Sequence, residues 1–446
     1  MLPRANAASS ADPWQRANEI KARVGGVKPL ENSFNIESFG AKSGGDFDNS
    51  LVFKKVIQAC HDAGGGRVIV PPGDYLTGAI ELLSNVTLQL LKGAILRFST
   101  QATDYPIVLT RYEGVELYNF SPLIYAKEAK NIAVKGEGIL DGQASNDNWW
   151  SWCGSPKFGW EEGMPQQHQD RMALFKLAEE NVPVSNRIFG RGHYLRPSFI
   201  EFYRCENVEI SGIELKDAPF WNIHPVLSEN ILIKNVTVRG KGPNNDGCNP
   251  ESCKDVVIEN CFFDTGDDCI AIKSGRNADG RRINVPSQNI LVEKCTMRDG
   301  HGGLVVGSEI SGGVNHVYIQ DCEMSSPELW YALRFKSNAM RGGDIHSIFA
   351  RRIKVGQVKY SVVMCNFQYE EAENGSYPPT LHKLNFTNLE VLKAHRIIEA
   401  RGLPNALIGT VSITRSKFYG VTEENITEHV SNLVLEANEI FTDSKL

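Results

Sequence analysis

The chain has 446 residues, a formal net charge of −6 and a pI near 6.0. That balance speaks against nucleic acid as a partner, and the absence of an 18-residue apolar run speaks against a membrane-spanning helix. An anionic ligand would have to be held by a local cluster of cations rather than by the field of the whole molecule.

In chain order, residues 1–33 read as a tail followed by a short polar helix. The opening "MLPRANAASSADPW" has no apolar core of an export leader, but "ANAAS" resembles the small-residue tail of a cleavage site. The expectation is a secreted or periplasmic protein whose leader has been trimmed. A strand and a Gly/Asp-rich loop follow in "FNIESFGAKSGGDFDNS". Residues 50–62 then read as an amphipathic helix, because Phe53, Val56, Ile57 and Cys60 fall on one helical face. Asp48 or Asn49 can cap its start and Gly64 can end it.

From residue 85 one short phrase recurs, with alternating apolar residues closed by Gly or Asn. It is seen in "NVEISGIELKDA" at 207, "NILIKNVTVRG" at 230 and "DVVIENCFFDTG" at 255, and it continues to "NLVLEANEIF" at 432. The starts at 207, 230 and 255 are 23 and 25 residues apart. A period in the low twenties built of short strands is the mark of a solenoid, whose coils bury their apolar faces against one another. The Leu-x-x-Leu-x-Leu frame of a leucine-rich repeat is absent. The fold expected is therefore all-β: one parallel β-helix of about ten coils over 34–446, with the helix at 50–62 plugging its N-terminal end. Two stretches break the rhythm. Residues 145–195 form a long insertion holding Trp149, Trp150, Trp152, Phe158 and Trp160 and a helix-like "QDRMALFKLAEEN"; residues 276–287 read as a 12-residue loop insertion. The ten cysteines include no paired CxxC; Cys248 and Cys253 are near enough in sequence to bridge, and the rest read as small buried hydrophobes. The Asn-x-Ser/Thr sequons, Asn85 and Asn235 among them, read as turn-forming Asn beside a β-branched residue.

Chemistry concentrates in four polar, Gly-flanked motifs: Asn244 and Asp246 in "GPNNDGCNPESC", Asp267, Asp268 and Lys273 in "FDTGDDCIAIKSG", His301 in "RDGHGGLVVGSE", and Arg334 and Lys336 in "LRFKSN". Asp246 and Asp267 are 21 residues apart. Asp267 and His301 are 34 apart, or 22 without the insertion, and His224 precedes Asp246 by 22. Coil arithmetic thus stacks His224, Asp246, Asp267 and His301 in one column at a spacing of roughly 4.8 Å. Stacked aspartates could serve calcium, but Lys273, His301, Arg334 and Lys336 make a bare cation site a poor fit. Paired carboxyls suit glycosidic hydrolysis, which needs a protonated acid and an ionised base, and mutual repulsion raises one pKa. The cations suit a uronic-acid substrate.

At these residues the sequence resembles family 28 of the glycoside hydrolases, the polygalacturonases. The motifs stand here as "NND" (244–246), "GDD" (266–268), "GHG" (300–302) and "RFK" (334–336), with Asn245 and Phe335 where the family usually has Thr and Ile. The resemblance runs from about residue 34 to the end. It implies a right-handed parallel β-helix that hydrolyses α-1,4-galacturonosyl linkages of pectin or polygalacturonate with inversion, using no metal and no other cofactor. By position, Asp267 is implied as the general acid, Asp246 and Asp268 as the pair that activates water, and His301 as a support for the acid's proton balance. Asn244, Arg334, Lys336 and Tyr369 are implied in sugar binding. To these the coil arithmetic adds His224. Three other readings stay open: a β-helix pectate lyase, a non-catalytic carbohydrate-binding β-helix, and a hydrolase directed at rhamnogalacturonan. The insertion at 145–195 resembles that of exo-acting bacterial members and is placed to close one end of a cleft, so exo action is expected.

Overall fold

A computed structural model describes residues 12–28 and 30–441. The tail carrying "ANAAS" lies outside the described residues. The alternation of apolar side chains produces three parallel ladders that run along a β-helix. The first passes through 33–35, 66–70, 86–90, 130–136, 206–211, 229–234, 254–259, 287–293, 314–320, 344–357, 380–393, 408–414 and 430–436. That is a taller stack than the ten coils expected. Its interior register is an unbroken apolar file: Leu88, Val134, Ile210, Ile233, Ile258, Val292 and Ile319 are successive partners. Each is buried, because every second residue of a strand points inward and each coil covers the one before. The third ladder carries the motifs; it includes 200–203, 223–226, 270–272, 304–306 and 333–336.

Turns between the ladders are made by single left-handed residues, for which Asn is suited. Asn85, Asn131, Asn207 and Asn230 all have φ between 56° and 66°. Their side chains form a file in which the Asn131 amide donates to Asn85 at 2.9 Å, Asn207 to Asn131 at 2.9 Å, and Asn230 to Asn207. The sequon residues Asn85 and Asn235 are turn residues of this kind.

Among the described residues, four α-helices decorate the stack. Helix α1 (Pro13–Arg23) is capped by Asp12, whose carboxylate accepts from Trp14 N at 3.0 Å. It lays Trp14, Ala17 and Ile20 on Val257, Leu291 and Tyr318, on the outside of the first ladder. Helix α2 (Ser50–Asp62) sends Phe53, Val56, Ile57 and Cys60 into the core, as its spacing requires. Asp48 accepts from Ser50 N at 2.9 Å, while Asn49 ties down the preceding loop through Lys42, Phe47 and Leu76 instead. Helix α3 (His168–Glu179) lies in the long insertion, and α4 (Asn277–Ile283) occupies the segment expected to be a loop. The aromatics of the insertion pack inward: Trp149 is buried against Trp152 at 4.8 Å, and Trp150 Nε1 donates to Ala218 O at 2.9 Å. All ten cysteines are free, including Cys248 and Cys253.

Phe53 is the largest apolar side chain that α2 inserts, and it is fully buried. Phe53→Ala is expected to lower unfolding stability by roughly 3–5 kcal/mol. A denaturant midpoint equal to that of the wild-type protein would show that α2 does not seal the core.

Candidate active site

Strand alternation and coil register together build the site. In 333–336 the side chain of Phe335 turns into the core and stacks on Phe386, which leaves Arg334 and Lys336 on the outer face. That is why the motif is basic–apolar–basic. The departure at 245 is likewise structural: Asn245 is fully buried, donates to Ala218 O and Phe220 O at 3.0 and 2.9 Å, and accepts from Gly242 N at 3.0 Å. It fixes the bend that presents its two neighbours. Glycine at 302 is steric: a Cβ there would stand 2.4 Å from Val305 and in contact with Arg334 and Asp268.

The structure brings Asn244, Asp246, Asp267, Asp268, Lys336 and Tyr369 into one depression, joined by Lys273, Glu309, Trp221, Glu113, Arg171 and Glu370. Arg334 and His301 stand at its carboxylates. Lys336 Nζ lies 2.8 Å from Asp268 Oδ2, and Arg334 Nη1 3.3 Å from Oδ1. His301 Nδ1 lies 2.9 Å from Asp267 Oδ1, and its ring is stacked on Trp330. Asp246 Oδ2 accepts from Asn249 at 2.7 Å and lies 3.8 Å from Lys273 Nζ, which is paired more closely with Glu309 at 2.9 Å. Arg196 donates to Asn244 Oδ1 at 2.7 Å. Tyr369 lies beneath the Lys336 ammonium, 5.3 Å from ring centre to nitrogen.

The expected column is sheared. Asp267 and His301 are level, with His301 N donating to Asp267 O at 3.0 Å. Cys248 pairs with Ile270, so Asp246 stacks on Asp268 rather than on Asp267. Ile223 pairs with Cys248, which sets His224 beside Asn249. Coils differ in length, so counting residues fixes the neighbourhood but not the last one to three positions. His224 therefore does not join the depression. It is fully buried under it, with Nε2 2.8 Å from Glu251, Nδ1 3.3 Å from Glu201 and Ser198 Oγ 3.3 Å away. Burial opposes its protonation, but the two glutamates outweigh that and hold its pKa above the ordinary histidine value. No sugar reaches it there; its place is structural.

Electrostatics separate the carboxyls. Burial, then the charge of Asp267, pushes Asp246 well above the usual carboxylate range, despite Lys273. Burial acts the same way on Asp267, but the bond and charge of His301, then Lys336 and Arg334, hold it below that range. The surroundings thus favour the protonated form at Asp246 and the ionised form at Asp267. Among the described residues no cluster of His, Cys, Asp and Glu is arranged to hold a metal ion; these carboxylates face cations and amides.

Two of the residues lining the depression, Glu113 and Arg171, come from outside the coils. Residues 107–112 and 115–120 form an antiparallel hairpin whose turn residues Glu113 and Gly114 both have positive φ, 42° and 84°. Glu113 is gripped by Arg171 of α3 through bonds of 2.9 and 2.6 Å, and Gly114 O accepts from Arg276 N at 3.0 Å. Helix α4 holds the hairpin from outside: Asp279 takes Glu116 N and Arg187, both at 2.8 Å. Glu113 and Arg171 carry no signal in the residue pattern, since only folding the insertion over the stack unites them. Lys273 and Glu309 carried a weak signal, one at the outward end of "DDCIAIK" and one just past "GHGGLVVGS".

Comparison with known proteins agrees with this architecture. Residues 189–394 match the model for Glycosyl hydrolases family 28. The crystal structure of a hyperthermoactive exopolygalacturonase from Thermotoga maritima superposes with a TM-score of 0.92, at 42% identity over 96% of each chain. The chain belongs to glycosyl hydrolase family 28. A probable polygalacturonase of Vitis vinifera is 26% identical over 90% of this chain and 75% of its own. An exo-poly-alpha-D-galacturonosidase of Dickeya chrysanthemi is 28% identical over 78% of this chain and 59% of its own. As a family 28 glycosidase, the protein is neither a lyase nor a non-catalytic binding module.

The raised pKa of Asp246 has a stability consequence. Below the unfolded carboxyl's pKa both states are protonated; above it the unfolded chain ionises while the folded one resists, so the wild-type protein loses stability as pH rises. Asp246→Asn removes that loss. Its unfolding temperature is expected to exceed the wild type's by roughly 1–3 °C at pH 7, with the gain vanishing near pH 3. Thermal unfolding across that range checks the sign, and a loss at pH 7 would contradict it.

Proposed function

We propose that this family 28 enzyme removes single galacturonate units from the end of polygalacturonate by inverting hydrolysis. The observation that carries the reading is that Glu113 of the hairpin, Arg171 of α3 and Glu370 line the depression; in the proposal they close one end of it. A closed end makes a pocket that admits a chain terminus and stops a chain from lying through. The names of the Thermotoga and Dickeya relatives support the same reading. A polymer of this size does not cross a membrane intact, so the proposal places the enzyme's action outside the cytoplasm.

In the proposed reaction the terminal sugar's carboxylate is met by Arg334 and Lys336. Engaging them weakens two of the positive charges that keep Asp267 ionised. The proton held by Asp246 then moves to Asp267, since neighbouring carboxyls titrate as a unit. Asp267 is the carboxyl at the open edge, with 19% of its side chain exposed against 4% for Asp246 and 2% for Asp268. It gives the proton to the glycosidic oxygen as that bond breaks. Asp246, now ionised, and Asp268 take a proton from the attacking water, which bonds to the anomeric carbon from the opposite face. Lys273 and Lys336 hold the two deep carboxylates; Asn244 and Tyr369 line the sugar's place.

Early digestion of polygalacturonate should release monomer steadily with little fall in viscosity, and proton NMR should show the β-anomer first. A rapid viscosity drop with mixed oligomers would overturn exo action; α-product first would overturn inversion. Faster release from rhamnogalacturonan oligomers than from homogalacturonan would redirect the substrate. Asp267→Asn should lower kcat by roughly 10²–10⁴-fold with KM little changed.

A further inference from the structure

Beyond the pocket, the register that sets Asp267 beside His301 continues along the stack. Gly300 pairs with Leu329, so His301 stands level with Trp330. Trp330 O accepts from Tyr360 N at 3.0 Å, and Tyr360 O accepts from His395 N at 2.7 Å. Their rings touch in sequence: His301 on Trp330 at 3.9 Å, Trp330 edge-on to Tyr360 at 5.9 Å, and Tyr360 edge-on to His395 at 6.2 Å. Tyr331 packs beside Tyr360 at 5.6 Å, and the Arg334 guanidinium lies 5.3 Å from the Tyr331 ring. Trp330, Tyr331 and Tyr360 are half-buried, and His395 is exposed. The reaction as derived uses none of these four.

We propose that the row Trp330–Tyr360–His395, with Tyr331 beside it, is a binding platform for the next sugars of the polymer on the leaving-group side. The inference rests on the exo-hydrolase reading and deepens it. Three features carry it. The row begins at the exposed edge formed by Asp267 and His301, from which the proposed reaction releases the leaving oxygen, and its rings lie outside the depression lined by Glu113, Arg171 and Glu370. It advances by one ring per coil, roughly 4.8 Å each, a rise similar to that of a pyranose in an extended chain. Aromatic rings offer apolar area to the C–H faces of sugars, and edge-to-face contacts lock these rings in place before binding, which lowers the ordering cost. The flanking charges are balanced, since Arg396 is paired with Glu423, which also lies 3.6 Å from His395. Ring contact rather than a free cation would therefore supply the grip.

The test compares kcat/KM on digalacturonate and tetragalacturonate for the wild-type enzyme, Tyr360→Ala and His395→Ala, with folding checked by circular dichroism. The tetramer-to-dimer ratio should fall about three- to tenfold in Tyr360→Ala and by a smaller factor in His395→Ala. Should Tyr360→Ala fail to fold, His395→Ala decides, because its side chain is 49% exposed. An unchanged ratio, or an equal loss on both substrates, overturns the platform. A wild-type enzyme that cleaves neither oligomer overturns the exo-hydrolase reading beneath it.

Discussion

Stacking coils in register forces like side chains into contact, and the whole site is a response to that constraint. Asp246 lies level with Asp268 because Cys248 pairs with Ile270, and Asp267 precedes Asp268 by one residue. Three carboxyls so close cannot all ionise freely in a partly dry pocket. The protein meets this with Lys336 and Arg334 on Asp268, His301 on Asp267, and Asn249 with the more distant Lys273 on Asp246. The weakest charge partner falls to Asp246, and burial with the charge of Asp267 raises its pKa. Neighbours in the stack rather than residue type thus move the pKa values of Asp246 and Asp267 in opposite directions.

The same stacking makes the scaffold stiff enough to hold such an arrangement. The apolar file from Leu88 to Ile319 and the asparagine file at the turns each tie a coil to its neighbours. Small steric choices follow, such as Gly302, where a side chain would enter the space of Asp268 and Arg334. Beneath the pocket, His224 between Glu201 and Glu251, with Arg111 3.1 Å from Glu251, forms a buried charge cluster. It joins the hairpin to the third ladder. Removing one member would strand the others without a partner, so the cluster is better understood as a fastening than as a reactive group.

Closure of the pocket is a separate invention laid over the repeat. The hairpin, α3 and α4 come from three interruptions of the coil rhythm, and they meet through Glu113–Arg171, Arg187–Asp279 and Arg282–Glu116. A plain solenoid would lack these contacts, which bring Glu113 and Arg171 to the lining of the depression.

Architecture and the chemistry's address follow from the residue pattern alone. Alternation of apolar residues with a period in the low twenties leaves a solenoid as the one economical way to bury them. It also brings "NND", "GDD", "GHG" and "RFK" to one face, because their spacings are near whole coils. The α2 plug was legible from Phe53, Val56, Ile57 and Cys60 for the same local reason. Which residues touch depends on the folded stack. Coils of unequal length shift the register by a residue or more, which moved Asp246 onto Asp268 and took His224 out of the pocket. The segment 276–287 gave no helical face to read, yet α4 forms there because Asp279, Arg281 and Arg282 find partners on distant segments. Glu113 and Arg171 are 58 residues apart, one in the hairpin turn and one in α3, and their pairing exists only once the insertion folds across the stack. Local pattern is set by short-range sterics and burial; contacts between interruptions depend on where the finished solenoid carries them.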